Sequence, residues 1–188
     1  IGLIGFPSVI YIILNHIFIF NTIVVICFIL AFKEFAEIVN RFKDKTVWLI
    51  FGLIYIFGSM VSLIYLRNID SIISSPFTFL LFAGVMVNDS MAFIVGKTLG
   101  GPKILPKISP KKTYSGLFGG LVGSVIFILL CDNYFLYSFT EFSLNSTDKI
   151  FLIFVFNIVG FFGDTFESMI KRKADVKDSS GLLLGHGG

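Results

Sequence analysis

Two carboxylates stand close to groups of basic side chains, an arrangement suited to chemistry on phosphates. Asp89 interrupts one apolar run, and Asp164 follows another that ends at Gly163. Neither a Ser-His-Asp nor a Cys-His pattern accompanies them, which favours metal-assisted phosphoryl or nucleotidyl transfer over hydrolysis through a covalent intermediate. Carboxylate oxygens are hard ligands, so the expected metal is Mg²⁺, with a second metal ion as a further expectation.

Asp89 is predicted to lie at membrane depth or close to it, because apolar residues flank it on both sides. A carboxylate there costs about 3 kcal/mol unless it is paired or faces a polar cavity. Lys97 follows two helical turns later, so an unbroken helix would place both side chains on one face. The alternative is that Asp89 anchors two helices through a hydrogen bond.

A basic loop between Gly96 and Thr113 contains five lysines, three prolines, three glycines and no acid. The prolines and glycines exclude a regular helix. Free backbone N–H groups, hydroxyls and ammonium groups could together hold a polyphosphate near a membrane surface. The alternative is a connector whose charges only set the membrane topology.

An ion-rich tail, Ser168–Gly188, follows the last apolar run. On a helical wheel one polar arc contains Asp164, Glu167, Ser168, Lys171, Arg172 and Asp175. This pattern predicts an amphipathic interfacial helix, and the alternative is an ordinary surface-lying helix with snorkelling Lys and Arg. His186 has no second histidine or thiolate at a ligand spacing, so substrate contact or turn chemistry is expected of it rather than metal binding.

The elements that must position these residues are membrane helices. The 188 residues are 55% hydrophobic, with a mean hydropathy of +0.90, which excludes an ordinary soluble globular protein. A spanning helix needs about 20 apolar residues, and six stretches approach this length: Gly2–Leu14, Ile17–Phe32, Val47–Leu66, Phe77–Val95, Gly116–Leu130 and Ile150–Phe162. The expected fold class is an all-α polytopic membrane protein with an interfacial helix and a basic loop on the cytoplasmic side. Cys27 and Cys131 lie in separate apolar runs, which predicts neither a disulfide framework nor a thiolate metal site.

The basic residues are distributed unevenly between the two sides of the membrane. If the spans alternate, one side carries the segments 33–45, 97–113 and 164 onward. Only Arg67 and Lys149, of the 15 Lys and Arg, then lie on the other side, and the positive-inside rule makes the basic side cytoplasmic. Its partners should be anionic, such as membrane lipid head groups or nucleotides. Nucleic acid is not expected, because no basic domain stands clear of the membrane.

Three motifs occur in order along the second half of the chain. They are Asp89-Ser90-x-Ala92-Phe93-x-x-Gly96-Lys97, then Ser109-Pro110-Lys111-Lys112-Thr113 closed by Gly116, then Gly163-Asp164-x-x-Glu167-Ser168-x-x-Lys171-Arg172-x-x-x-x-Lys177-Asp178 with His186-Gly187-Gly188. Together they resemble the signatures of the phosphatidate cytidylyltransferase family, also called CDP-diacylglycerol synthase, of the bacterial type. The family usually has tyrosine where this chain has Phe93, often tryptophan in place of Tyr114, and more often an acid or amide in place of Ser115.

This resemblance implies a function. CMP would be transferred from CTP to phosphatidic acid, giving CDP-diacylglycerol and pyrophosphate for phospholipid biosynthesis, in the cytoplasmic membrane of a bacterium. It implies metal binding by Asp164 and catalytic roles for Asp164, Lys171, Arg172 and Asp178. It implies substrate binding by Asp89, Lys97, Ser109, Lys111, Lys112, Thr113, Ser168, Lys177, His186 and Gly187.

The expected organisation is a single integral membrane domain over residues 1–188. Residues 1–76 would form N-terminal spans, and residues 77–188 a cytidylyltransferase-like catalytic half. The family continues past His-Gly-Gly with Asp-Arg-x-Asp, whose acids are expected to complete the metal site. The sequence also begins at Ile1 and not at an initiator methionine, so the chain is expected to be truncated at both ends and to lack part of that site. A homodimer is one expected assembly.

Two other classes of function stay open. A small ion or solute transporter would use Asp89 and Asp164 to line an ion path, although no inverted repeat is visible. A CTP-dependent polyprenol or phytol kinase shares the apolar body and the basic loop, and would give a phosphorylated lipid. A CDP-alcohol phosphatidyltransferase is not favoured, because its Asp-Gly-x-x-Ala-Arg motif does not occur in this sequence.

Overall fold

The computed structural model describes residues 2–70, 72–137 and 143–176. The helices are α1 (Gly2–Asn15), α2 (Ile17–Val39), α3 (Lys45–Asn68), α4 (Ser74–Thr98), α5 (Tyr114–Leu130), α6 (Ser146–Phe154) and α7 (Gly160–Lys173). A π-helical turn, Cys131–Leu136, continues α5, and a second one, Val155–Val159, joins α6 to α7. Two short strands, β1 (Lys103–Leu105) and β2 (Ser109–Thr113), lie between α4 and α5. The all-α polytopic class is confirmed.

Five helices in the described part of the chain are long and apolar enough to cross a membrane: Ile17–Val39, Lys45–Asn68, Ser74–Thr98, Tyr114–Leu136 and Ser146–Lys173. The first predicted span, Gly2–Leu14, is instead part of the 14-residue helix α1, shorter than the length of about 20 residues that a bilayer requires. His16 separates α1 from α2 with φ −128° and ψ 81°, which is not helical backbone.

The chain divides into two compact units, one of Ile1–Ser75 with the residues from Glu167 onward, and one of Pro76–Phe166. In the first unit α2 packs on α3, and Gly52 makes room for the ring of Phe35, which a Cβ at position 52 would overlap. Buried Arg67 donates from Nε to the Ile13 carbonyl at 2.8 Å. This bond offsets part of the cost of removing the guanidinium from water.

In the second unit a hydrophobic core forms between α4, the α5 helix with its π turn, and the last span. Its fully buried members include Leu80, Ile128, Leu136 and Phe156. The ring of Phe156 lies against Gly84, where a Cβ would overlap it. The core therefore fixes how the last span packs beside α4. These two elements carry the predicted carboxylates, Asp89 on α4 and Asp164 on the last span.

Helix α5 approaches α4 through positions that have no side chain. A Cβ at Gly119 would lie 2.5 Å from the Val95 Cβ, and one at Gly123 would lie 2.6 Å from the Met91 Cγ. Small residues let membrane helices pack at short backbone separation. The beginning of α5 is thereby held against the second half of α4.

The basic loop, for which a regular helix was excluded, folds as an antiparallel hairpin in which Lys103 of β1 pairs with Thr113 of β2. Gly100 and Gly101, with φ of 63° and 105°, make the left-handed turn that leads into it, a conformation that glycine adopts at low cost. Pro110 is tolerated within β2 because each strand of a two-stranded sheet is an edge.

The predicted interfacial helix is the continuation of the last span, since Ser146–Lys173 forms one helical stretch of 28 residues. It ends in a Schellman motif, in which Val176 donates its N–H to the Lys171 carbonyl (3.0 Å) and Asp175 to that of Arg172 (3.1 Å). Asp175 has φ 58°, so it lies past the helix end and does not extend the predicted polar arc.

Candidate functional site

A pocket of about 420 Å³ in the second unit gathers most of the predicted site residues of that unit; we call it the two-aspartate pocket. Its walls come from α4, the hairpin, the beginning of α5 and the last span. It brings together six residues predicted from the sequence: Asp89, Ser109, Lys111, Lys112, Thr113 and Asp164. Residues far apart in sequence thus meet at one place.

Lys112 is held rigidly at one wall of this pocket. Its Nζ lies 2.9 Å from Asp164 Oδ2 and donates to the Phe161 carbonyl (3.0 Å) and the Thr165 hydroxyl (2.7 Å). These three acceptors account for the three N–H bonds of an ammonium group, and the ring of Phe161 lies under it at 4.3 Å. The Lys112 side chain is 15% exposed and that of Asp164 is 65% exposed, so the carboxylate stays open to a ligand.

Asp89 stands beside a buried network of amides. The Asn88 Oδ1 accepts from Ser124 Oγ (3.2 Å) and from Asn157 Nδ2 (3.1 Å), and Asn157 Nδ2 also donates to the Leu117 carbonyl (3.0 Å). Asn88 Nδ2 lies 3.3 Å from Asp89 Oδ1. The network joins α4, α5 and the last span at the floor of the pocket, and satisfied buried polar groups of this kind favour one arrangement of the helices.

Two hydroxyls fasten the hairpin to the beginning of α5. Thr113 caps the helix, its Oγ1 accepting the Gly116 N–H at 3.0 Å. Ser115 lies 3.0 Å from the Thr113 hydroxyl and donates to the Gly100 carbonyl. Ser115, where the sequence departs from the family pattern, therefore closes the base of the hairpin, which fixes the positions of Lys111 and Lys112.

Lys97 does not line the two-aspartate pocket. It lines a neighbouring cavity of about 570 Å³ together with Lys103 and Lys111, and we call this cavity the lysine pocket. Its remaining lining residues are Ala92, Phe93, Gly96, Gly100 and Pro110. Asp89 and Lys97 both belong to α4, which is the unbroken helix that the expectation of a shared face required, although the two side chains line different pockets.

Three other predicted residues lie further along α7, in the first unit. Lys171 pairs with Glu167 one turn earlier, with 2.7 Å between Nζ and Oε1. Ser168 and Arg172 belong to the same helix, and the Arg172 Nη1 lies 3.5 Å from the Val176 carbonyl. The predicted residues Lys177, Asp178, His186 and Gly187 lie outside the described residues.

An aromatic clamp holds the end of α7 within the first unit. The Lys173 Nζ lies 4.5 Å from the centre of the Trp48 ring and 4.8 Å from that of Phe42, and the two rings pack edge to face at 5.4 Å. Cation–π contacts at such distances are stabilising. The clamp fixes the turn of α7 that follows Lys171 and Arg172.

Sequence reasoning missed several residues of these sites, among them Asn157, Thr165, Ser115 and Lys103. A signal existed for Asn157, which is the one polar side chain between Phe151 and Val159. The π turn that contains it was not predictable, and such turns are frequent at functional sites.

The oxygen donors of the two-aspartate pocket suit Mg²⁺. Proteins commonly hold this ion through one or two carboxylates, with water and substrate phosphates completing the coordination, and Asp89 and Asp164 supply two. Within residues 2–70, 72–137 and 143–176, no three His, Cys, Asp or Glu side chains are grouped for metal binding. The carboxylates of Asp89 and Asp164 are the residues of this pocket that could hold such an ion.

Comparison with known proteins gives one consistent family. The model of the cytidylyltransferase family matches residues 44–188. The chain is 36% identical over 155 residues to the phosphatidate cytidylyltransferase of Brucella abortus, over 80% of this chain and 53% of that protein. It is 31% identical over 152 residues to that of Bacillus subtilis, over 77% of this chain and 52% of that protein.

A plant relative matches a shorter region. The chain is 42% identical over 115 residues to the chloroplastic phosphatidate cytidylyltransferase 4 of Arabidopsis thaliana, over 59% of this chain and 27% of that protein. The chain thus spans about half the length of the bacterial relatives and about a quarter of the plant one.

Proposed function

The chain belongs to the cytidylyltransferase family, and on this basis we propose that it takes part in the transfer of CMP from CTP to phosphatidic acid. A phosphate oxygen of phosphatidic acid would form a bond to the α-phosphorus of CTP. The bond between that phosphorus and the oxygen bridging to the β-phosphorus would break. CDP-diacylglycerol and pyrophosphate are the products.

One observation carries this proposal: two carboxylates and two lysines line the same pocket at the end of membrane helices. Phosphoryl and nucleotidyl transfer need little covalent chemistry from the protein, because positioning and charge stabilisation lower the barrier. Lys112, fixed by three acceptors, would present a stationary positive charge to the phosphates. Lys111 and the Ser109 and Thr113 hydroxyls lie on the same hairpin and would complete the phosphate contacts.

Asp164 and Asp89 are the residues proposed to hold Mg²⁺. When bound, the ion supplies charge neutralisation for the phosphate oxygens. Asp164 suits this role because its carboxylate is mostly exposed and only one of its oxygens is paired with Lys112. Asn88 would orient Asp89 through the contact at 3.3 Å. The remaining roles are proposed from the family signature alone: those of Ser168, Lys171 and Arg172, and those of Lys177, Asp178, His186 and Gly187, which lie outside the described residues.

We further propose that the pocket opens to the cytoplasm of a bacterium. If the five long helices cross the membrane in alternating directions, the α2–α3 connection, the hairpin and the chain after the last span would face the same side. With the helix ends that border them, these segments correspond to residues 33–45, 97–113 and 164 onward, which hold 13 of the 15 Lys and Arg, and cytoplasmic loops are enriched in both. CTP, a soluble nucleotide, would reach the pocket from that side.

The direct test measures Mg²⁺-dependent transfer of label from cytosine-labelled CTP into organic-extractable lipid, with and without added phosphatidic acid. The assay uses the purified 188-residue chain. The expected result is label in CDP-diacylglycerol that requires phosphatidic acid and Mg²⁺ and is abolished by EDTA.

CTP labelled at the γ-phosphate provides the matched control, because cytidylyl transfer releases that phosphate as pyrophosphate. Label from the γ-phosphate in lipid, without label from the base, would contradict the proposal and indicate a CTP-dependent lipid kinase. The absence of both labels from lipid would also contradict it, and would favour a transporter.

A further inference from the structure

The lysine pocket is a cationic cavity built from three separate elements. Lys97 comes from the end of α4, Lys103 from β1 and Lys111 from β2. They are separated along the chain and meet because the hairpin folds back beside α4. A solvated run of charges along one exposed helix face would not produce such a convergence.

No carboxylate among the described residues lines this pocket or pairs with its three lysines. Ion pairs are made instead by other lysines of the described chain, among them Lys112, Lys149 and Lys171. Among the described residues, Lys97 contacts the ring of Phe93, whose centre lies 5.6 Å from its Nζ. Three ammonium groups around one cavity repel one another, so an anion between them would relieve that repulsion.

The neighbouring two-aspartate pocket differs in charge, because carboxylates as well as lysines line it. It contains the carboxylates of Asp89 and Asp164, and it shares Ala92, Phe93 and Lys111 with the lysine pocket. Lys111 therefore contributes to both cavities. A ligand with several phosphates in the first pocket would have the lysine pocket directly beside it.

We propose that the lysine pocket is a second anion site, distinct from the two-aspartate pocket, that binds an oxyanion of the phosphate class. The choice of phosphate rests on the proposed function, whereas the preference for an anion rests on the three lysines. Two sources could supply the ligand, namely free pyrophosphate and the phosphomonoester head group of a membrane lipid. Lys103, which the family signature does not include, is the residue that distinguishes this site.

The first arm of the test measures binding of labelled inorganic pyrophosphate to the purified chain in dodecyl maltoside. EDTA is present, so that metal-dependent binding in the two-aspartate pocket does not contribute. Lys103→Met should weaken binding about tenfold, the effect of losing one charge-assisted contact. Lys107→Met is the matched control, since Lys107 lies in the turn of the same hairpin and lines neither pocket; its affinity should stay within about twofold.

The second arm counts phosphatidic acid molecules bound to the same variants by native mass spectrometry, with phosphatidylcholine as the neutral reference. A loss limited to pyrophosphate assigns the site to the free anion, and a loss limited to phosphatidic acid assigns it to the lipid head group. Equal losses for Lys103→Met and Lys107→Met, or no loss in either arm, would overturn the proposal. If the protein binds pyrophosphate but does not transfer CMP from CTP, the proposed function is rejected while the lysine pocket remains supported as an anion site.

Discussion

At the scale of single residues, Lys112 and Asp164 show how one ion pair can prepare a site for a ligand. The two side chains differ in how far their hydrogen-bonding capacity is used. All three N–H bonds of the Lys112 ammonium group have acceptors, whereas the Asp164 carboxylate is mostly exposed and can still bind a ligand. The positive charge is thus fixed before any substrate arrives. Preorganised charge of this kind does not have to be reoriented during the reaction.

Asp164→Asn should reduce CMP transfer at least about 100-fold, the order observed when one preorganised charge-stabilising group is lost. The amide keeps the size of the carboxylate, so membrane insertion and detergent stability should be unchanged. The measurement is the labelled-CTP assay with equal amounts of purified protein. Asp175→Asn is the matched control, because Asp175 lies past the helix end, lines neither pocket, and asparagine tolerates its left-handed backbone. Equal activity of the two variants would show that Asp164 is not part of the catalytic site.

The polar residues of the pocket were predictable to different degrees. Asp89 and Asp164 stood out because a carboxylate in an apolar run needs a partner or a function. Asn157 carries no charge, so it was read as an ordinary residue of the predicted span Ile150–Phe162. Ser115 was noticed only as a departure from the family pattern, and its bond to the Gly100 carbonyl depends on the fold of the hairpin. Local sequence cannot reveal a partner that only the tertiary fold brings near.

At the scale of elements, close contact between α4 and α5 determines where the pocket lies. Glycines on α5 bring the helices together, and the Asn88 and Asn157 amides join them to the last span. The helices themselves followed from hydropathy. The hairpin did not, because its glycines and prolines excluded a helix without specifying how the two strands would pair.

Gly120→Ala should destabilise the protein by about 1–3 kcal/mol, the usual cost of overpacking. A Cβ at Gly120 would lie 2.7 Å from the Asn88 Oδ1 and 3.1 Å from the Asn157 Nδ2, so the amide network would have to move. Unfolding in detergent measures the effect. Gly58→Ala provides the control, because a Cβ there meets nothing within 4 Å and alanine favours a helix. A stability as high as that of Gly58→Ala would show that the network adapts without cost.

Lys173→Ala should loosen the end of α7 at a cost of about 0.5–1 kcal/mol, the value of an exposed cation–π contact. Trp48 is the single tryptophan of the chain, so its fluorescence reports on the clamp alone. Quenching by acrylamide should increase, because the lysine no longer covers the ring. Lys33→Ala should leave the quenching unchanged, and an equal change in both variants would contradict the clamp.

At the scale of the whole molecule, most of the chain is apolar, and its basic residues are concentrated in segments that would lie on the same side of a membrane if the spans alternate. Side chains such as Phe18 (84% exposed) and Ile54 (69% exposed) on the long helices would be costly in water and are suited to lipid. The class of protein and the charge asymmetry were both readable from the sequence, because they depend on composition rather than on contacts.

Single cysteines placed in a Cys27→Ala, Cys131→Ala background test the proposed orientation. Lys107→Cys, in the hairpin turn, should react with a membrane-impermeant maleimide in inside-out bacterial vesicles but not in spheroplasts. Ser143→Cys, on the connection before α6, should show the reverse pattern. The physical reason is that the reagent reaches only the outer face of each sealed membrane. Reversed labelling of the pair would place the hairpin outside the cell.

The two-aspartate pocket has an apolar wall made of Ala92, Phe93, Leu117 and Phe161, and the Phe93 side chain is largely exposed. An acceptor anchored in the bilayer would reach such a wall by lateral diffusion and would not have to leave the membrane. Its effective concentration is then a mole fraction in the plane of the lipid. Dilution with neutral lipid at constant bulk concentration should therefore slow the reaction, and turnover would follow the composition of the surrounding membrane.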